Sequence, residues 1–121
     1  MSKKHIVVID DDAMIRFLVQ EYLHAFGFTV EAFSGGKDAI TAVEAKQPDL
    51  ILVDMQMPEM NGFEVLAKLR ENPVTEKIAV LMLSANASEG PQLSEIQPDA
   101  YLEKPFHMQN LLEAVETTTR R

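Results

Sequence analysis

Four places in this sequence carry side chains able to do chemistry. An acid triplet, Asp10-Asp11-Asp12, follows the apolar run HIVVI. A lone aspartate, Asp54, ends the run LILV. Ser84 closes the run IAVLMLS, and Lys104 stands before Pro105 in AYLEKPF. Three carboxylates, those of Asp10, Asp11 and Asp54, would repel one another if brought together. Either their pKa values rise or a cation neutralises them. An all-oxygen set without His or Cys favours a hard ion, Mg²⁺ above all, which commonly bridges carboxylate to phosphate. A lysine and a hydroxyl could hold further phosphoryl oxygens, and a carboxylate can itself be the nucleophile that becomes an aspartyl-phosphate. Such a transfer needs chiefly positioning and charge neutralisation.

Taken singly, each feature has a plainer reading. Acids before a helix cap it and face its dipole. An Asp after a strand is commonly a turn residue, and Lys-Pro commonly opens a helix. The elements that carry these residues favour the chemical reading. His5–Ile9 is a short β-branched run, as in a strand buried on both faces. Asp12 can cap a helix whose apolar positions Ile15, Leu18, Val19, Tyr22, Leu23 and Phe26 recur at helical spacing, with Gly27 placed to end it. FTVEAF alternates like a strand. Ser34 is expected to cap a helix over 36–46, which Pro48 stops. LILVD, IAVLMLS and AYLE read as strands. FEVLAKLREN and HMQNLLEAVETTTRR read as helices, the last with Met108, Leu111, Leu112 and Val115 on one face. Between residues 85 and 98, Gly90-Pro91 and Pro98 leave room for only about two turns of helix.

Strand and helix therefore alternate five times, which predicts an α/β fold with a parallel sheet covered on both faces. Ligands bind such sheets at the C-terminal ends of the strands. Asp10, Asp11, Asp54, Ser84 and Lys104 all fall at that end, so residues nearly a hundred positions apart can share one pocket.

Length and composition narrow the reading further. The 121 residues suit one domain over 1–121, with no output domain expected in this chain. A net charge of −8 argues against direct nucleic-acid binding. No apolar run approaches the roughly 20 residues of a membrane span, and acids follow the first apolar run where a signal peptide would need a cleavage site. The absence of cysteine excludes disulfides. These features predict a cytoplasmic protein with no membrane partner.

Four segments resemble, in order, the motifs of the receiver domain of two-component response regulators. They are VVIDDDAMIR, LILVDMQMPEMNGFEVLAKLR, VLMLSA and DAYLEKPF, and the match runs over nearly the whole chain. The second fits the phosphoacceptor pattern D-x-x-M-P-x-M-x-G and is the most specific. The resemblance implies a three-layer, doubly wound, flavodoxin-like fold with strand order 2-1-3-4-5 and a cis Lys104–Pro105 bond. It implies Asp54 as phosphoacceptor and Mg²⁺ as cofactor. Asp11, Asp54 and the backbone carbonyl of Gln56 would hold the ion directly, and Asp10 mainly through water. Lys104 would pair with the phosphoryl oxygens and Ser84 would hydrogen-bond one of them. Tyr101 matches the switch aromatic, expected to turn inward as Ser84 moves towards the phosphate. Gln56 and Asn86 would tune phosphate lifetime. The implied partners are a sensor histidine kinase or phosphotransfer protein and a downstream protein target. A weak dimer would use the face of the fourth helix, fifth strand and last helix.

Two departures from the family pattern stand out. The span from Ser84 to Lys104 is shorter than usual and Pro98 replaces a customary glycine, which predicts a shortened or irregular fourth helix. Ala13 stands where many members have proline. Three rival functions are weighed against the signalling reading. A phosphatase with an aspartate nucleophile needs an acid two residues after it, where this chain has Gln56. A flavodoxin-type flavin site needs a hydroxyl- and Gly-rich loop after the first strand, where this chain has three acids. A degenerate receiver acting only as an interaction module would not need the reactive residues, all of which are kept.

Overall fold

The computed structural model describes residues 4–85 and 96–119. Strand and helix alternate through β1 (His5–Ile9), α1 (Ala13–Ala25), β2 (Thr29–Phe33), α2 (Gly36–Lys46), β3 (Leu50–Asp54), α3 (Gly62–Glu71) and β4 (Ala79–Ser84). β5 (Ala100–Glu103) and α4 (Met108–Thr119) follow. All strands are parallel in one five-stranded sheet of order β2-β1-β3-β4-β5. This is the order implied by the motifs. Most of the fourth predicted helix falls on residues 86–95, outside the described residues.

The central strands are apolar throughout because both of their faces are covered. Val7, Ile9, Ile51, Val53, Val80 and Met82 point to one side, where α2 and α3 bring Ala39, Val43, Val65, Leu66 and Leu69. Ile6, Val8, Leu50, Leu52 and Leu81 point to the other, against Val19 and Leu23 of α1 and Leu111 and Val115 of α4. The two-residue alternation of a strand sorts each run into two cores. The result is a three-layer sandwich with α1 and α4 on one face and α2 and α3 on the other.

The register fixes where the site lies. Ile9 pairs with Val53, Asp54 with Leu83, and Ser84 with Glu103, so the C-terminal ends of β1, β3, β4 and β5 are nearly level. Asp12 caps α1 as predicted, accepting from the Met14 and Ile15 amides at 2.9 and 3.3 Å. Gly27 follows that helix at φ +95°, a left-handed conformation that suits glycine. The expected Ser34 cap does not form. Gly35 is the N-cap of α2, in extended backbone with no side-chain cap bond, so Ser34 stands one residue outside the capping position.

Asn61 and Glu64 form a reciprocal capping box at the start of α3, each side chain accepting from the other's amide at 2.9 Å. Gly62 then sits directly on the end of β3. Its amide donates to the Met55 carbonyl at 2.9 Å. A Cβ there would lie 2.7 Å from the Asp54 carbonyl oxygen and 2.9 Å from Met55 Cα, both backbone atoms that cannot yield cheaply. The segment from Asp54 to Gly62 needs glycine at this position for close approach of helix and strand.

Candidate functional site

Asp10 is fully buried where β1 gives way to α1, and Asp54 is 7% exposed at the end of β3. One carboxylate oxygen from each of Asp10, Asp11 and Asp54 lies within 4.8 Å of the other two. Asp11 is the exposed member. Lys104, just beyond β5, reaches back between them: Nζ lies 2.9 Å from Asp10 Oδ2 and 3.5 Å from Asp54 Oδ1. Its main chain is anchored by its amide, which donates to the Ser84 carbonyl at 2.7 Å. The Lys104–Pro105 peptide is cis, as the motif implies.

Electrostatics sets the acids apart. Burial, and then the negative charge of Asp10, push the Asp54 carboxyl above its ordinary pKa. Lys104 and the Gln56 amide pull it the other way without prevailing. For Lys104, burial is the largest single influence and lowers its pKa. The hydrogen bond to Asp10 and the charges of both aspartates together outweigh it and leave the ammonium above its ordinary value. Both carboxylate oxygens of Asp10 are satisfied. Its Oδ1 accepts from the Asp12 amide at 2.9 Å, its Oδ2 from Lys104, and its own amide donates to the Phe33 carbonyl at 3.1 Å.

The donor set fits a hard divalent cation. Three carboxylates converge with one lysine opposite, and no nitrogen or sulfur donor is among them. Asp11, Asp54 and Asp10 are the side chains able to hold the ion. Gln56 follows in the loop after β3, its amide 3.4 Å from Asp54 Oδ1.

Ser84 is fully buried at the end of β4. Strand alternation puts it on the face of Met82, the α2/α3 side, where the Tyr101 ring also packs. Tyr101 pairs with Met82 in the register, and its hydroxyl donates to Gln97 Oε1 at 3.1 Å. Burial raises its pKa. Asn86 lies outside the described residues.

Two arginines make contacts that have no counterpart in the sequence reading. Arg16 Nη1 donates to the Asp10 carbonyl at 2.7 Å. The available signal was a lone arginine in the first turns of an amphipathic helix, six residues after a buried acid. Arg70 donates to the Glu76 and Ile78 carbonyls at 2.9 and 2.8 Å and to Asp99 Oδ2 at 3.1 Å, joining α3 to the approach to β5.

Comparison with known proteins agrees with this fold. The family model for the response regulator receiver domain matches residues 6–116. The chain belongs to that family. It is 39% identical over 119 residues to the DNA-binding dual master transcriptional regulator RpaA of Synechocystis sp., covering 96% of this chain and 49% of that protein. It is 35% identical over 123 residues to the regulatory protein VanRc of Enterococcus gallinarum, covering 100% of this chain and 52% of that one. The chain thus spans about half the length of these relatives. Among solved structures it resembles the chemotaxis protein CheY4 of Vibrio cholerae, with a TM-score of 0.89 at 26% identity over 97% of this chain and 99% of that one. The fold also matches the receiver domain of a Pseudomonas aeruginosa sensor histidine kinase, solved with magnesium coordinated in its active-site cleft. The TM-score there is 0.90 at 21% identity, over 99% of this chain and 100% of that one.

Proposed function

We propose that this domain is a Mg²⁺-dependent phosphoacceptor in which Asp54 receives a phosphoryl group from a partner histidine kinase or phosphotransfer protein. The observation that carries the reading is the convergence of Asp10, Asp11 and Asp54 within 4.8 Å, with Lys104 bridging two of them. A carboxylate oxygen of Asp54 attacks phosphorus and forms the new P–O bond. The bond from phosphorus to the donor breaks, and its electron pair leaves with the donor. The product is an acyl phosphate on Asp54. When bound, Mg²⁺ neutralises the phosphoryl oxygens and the acids. Asp11, Asp54 and the Gln56 carbonyl would hold it, and Asp10 would act through water, in keeping with the hydrogen bond already accepted by each Asp10 oxygen.

Lys104 is placed to exchange its contact with Asp54 for one with the phosphate. Ser84 supplies the hydroxyl on the same face as Tyr101, which supports a switch in which Ser84 moves towards the phosphate and Tyr101 turns into the vacated space. The population shift would alter a protein-binding surface beside β5. By resemblance to the family, Gln56 and Asn86 would tune the lifetime of the phosphate. Catalysis in this reading is confined to the domain's own phosphorylation and dephosphorylation. None of the described helices is long and apolar enough to cross a membrane.

The surroundings favour a protein donor. Met14, Phe17 and Leu18 on α1 are 63%, 60% and 42% exposed. Of these, Leu18 lines a cleft of about 470 Å³ together with Ile15, Ala85, Lys104, Phe106 and Met108. An exposed apolar row of this kind marks a protein contact, and this one opens beside Lys104. Incubation with Mg²⁺ and acetyl phosphate, followed by intact-mass measurement, tests the reading. One phosphoryl adduct is expected in the wild type and none in Asp54→Asn; an undiminished adduct in that variant refutes Asp54 as the acceptor.

A further inference from the structure

The corner between β1 and α1 holds two of the three clustered acids, and one side chain fastens it. Arg16 lies one turn into α1 and is half-buried. Its Nη1 donates to the Asp10 carbonyl at 2.7 Å, a short charge-assisted bond. Its own amide donates to the Asp12 carbonyl at 3.0 Å. Arg16 therefore grips the main chain on both sides of Asp11. Asp10 is held independently through its amide and both carboxylate oxygens. Asp11 is exposed, and the path of the main chain through the corner sets where its carboxylate stands.

We propose that Arg16 is a positioning residue for the phosphoryl-accepting site. By fastening the Asp10 carbonyl it keeps the corner folded and holds the Asp11 carboxylate within reach of Asp54 and of the cation they share. The inference rests on the reading of Asp54 as a Mg²⁺-assisted acceptor. It predicts an effect whose sign separates positioning from charge. Loss of a cation at the Asp10 main chain would, through Coulomb's law alone, leave Mg²⁺ binding unchanged or tighten it. Loss of a positioning contact weakens it, as removal of groups that orient metal ligands commonly does by about tenfold or more.

Calorimetric titration with Mg²⁺ distinguishes the two in wild type, Arg16→Met, Arg16→Lys and Arg70→Met. Arg70 also donates to backbone carbonyls but far from the acids, so its variant controls for a general loss of stability. Arg16→Met should weaken Mg²⁺ binding about tenfold, Arg16→Lys should recover part of the loss, and Arg70→Met should bind like wild type. In EDTA, the Asp12 amide of Arg16→Met should exchange with solvent about tenfold faster than in wild type, as expected for loss of a charge-assisted bond. Should Arg16→Met not fold, Arg16→Lys decides. A lysine cannot reproduce the guanidinium geometry, so weaker binding supports the role and wild-type affinity overturns it. Unchanged or tighter binding by folded Arg16→Met overturns the inference while leaving Asp54 as acceptor. A wild-type protein that takes up no Mg²⁺ overturns both.

Discussion

Replacing Asp54 by asparagine should make the metal-free domain more stable at neutral pH, although it removes the proposed reactive group. Asp54 Oδ1 lies 3.5 Å from Lys104 Nζ, an attraction of about 5 kcal/mol at an effective dielectric constant of 20. A carboxylate oxygen of Asp10 lies within 4.8 Å of one of Asp54, a repulsion of at least about 3.5 kcal/mol on the same footing. The exposed Asp11 adds a smaller, screened repulsion. These contributions nearly cancel, and the cost of burying the Asp54 charge remains. Asparagine keeps the shape and an acceptor for the Gln56 amide while removing that charge. A gain of about 1–2 kcal/mol follows. It corresponds to a rise in Tm of about 4–8 °C for a domain of this size.

The pH dependence carries a definite sign. Burial, then Asp10, hold the folded-state pKa of Asp54 above its unfolded value. Its contribution to stability is therefore fully present below about pH 4 and is lost as pH rises through the folded value. The gap between Asp54→Asn and wild type should be near zero at pH 3.5 and reach its full size by pH 7.5. Thermal unfolding in EDTA, followed by circular dichroism at both pH values, measures this. Mg²⁺ should narrow the gap at pH 7.5, because the variant has lost a ligand that stabilises the wild type by mass action. A variant no more stable than wild type at pH 7.5, or one equally stabilised at both pH values, would refute the electrostatic reasoning.

Other substitutions have equally definite outcomes. Lys104→Met leaves Asp10 buried without its cation and should cost about 3–5 kcal/mol in urea unfolding. Gly62→Ala forces a methyl against the Asp54 carbonyl and should cost about 1–3 kcal/mol or more, whereas Gly35→Ala, with nothing within 4 Å of the added Cβ, should change the urea midpoint little. Phe17→Glu should slow phosphotransfer from a protein donor about tenfold or more while leaving acetyl phosphate labelling unchanged; equal slowing of both would remove the docking role of α1.

The sheet was legible because its strands are buried on both faces and separated by helical periodicity. HIVVI, LILV and AVLML left little choice of element. The candidate site was legible because side chains of unusual chemistry fall at the same end of successive strands, and a parallel sheet brings those ends together. What escaped depends on single-residue backbone choices or on contacts to the main chain. Ser34 misses its capping role by one position. Arg16 reaches a carbonyl, which leaves no trace in the pattern of side-chain types. Arg70 and Asp99 meet across 29 residues, and neither stands out among surface charges in sequence. Asn61 and Glu64 had the spacing of a capping box.

The central claim is that Asp54 becomes an acyl phosphate. Borohydride reduction after incubation with Mg²⁺ and a phosphodonor, followed by peptide sequencing in a mass spectrometer, tests it most directly. The account predicts homoserine at position 54, absent without Mg²⁺ and absent in Asp54→Asn. Reduction at another aspartate, or a phosphoryl group that forms equally well in EDTA, would contradict it.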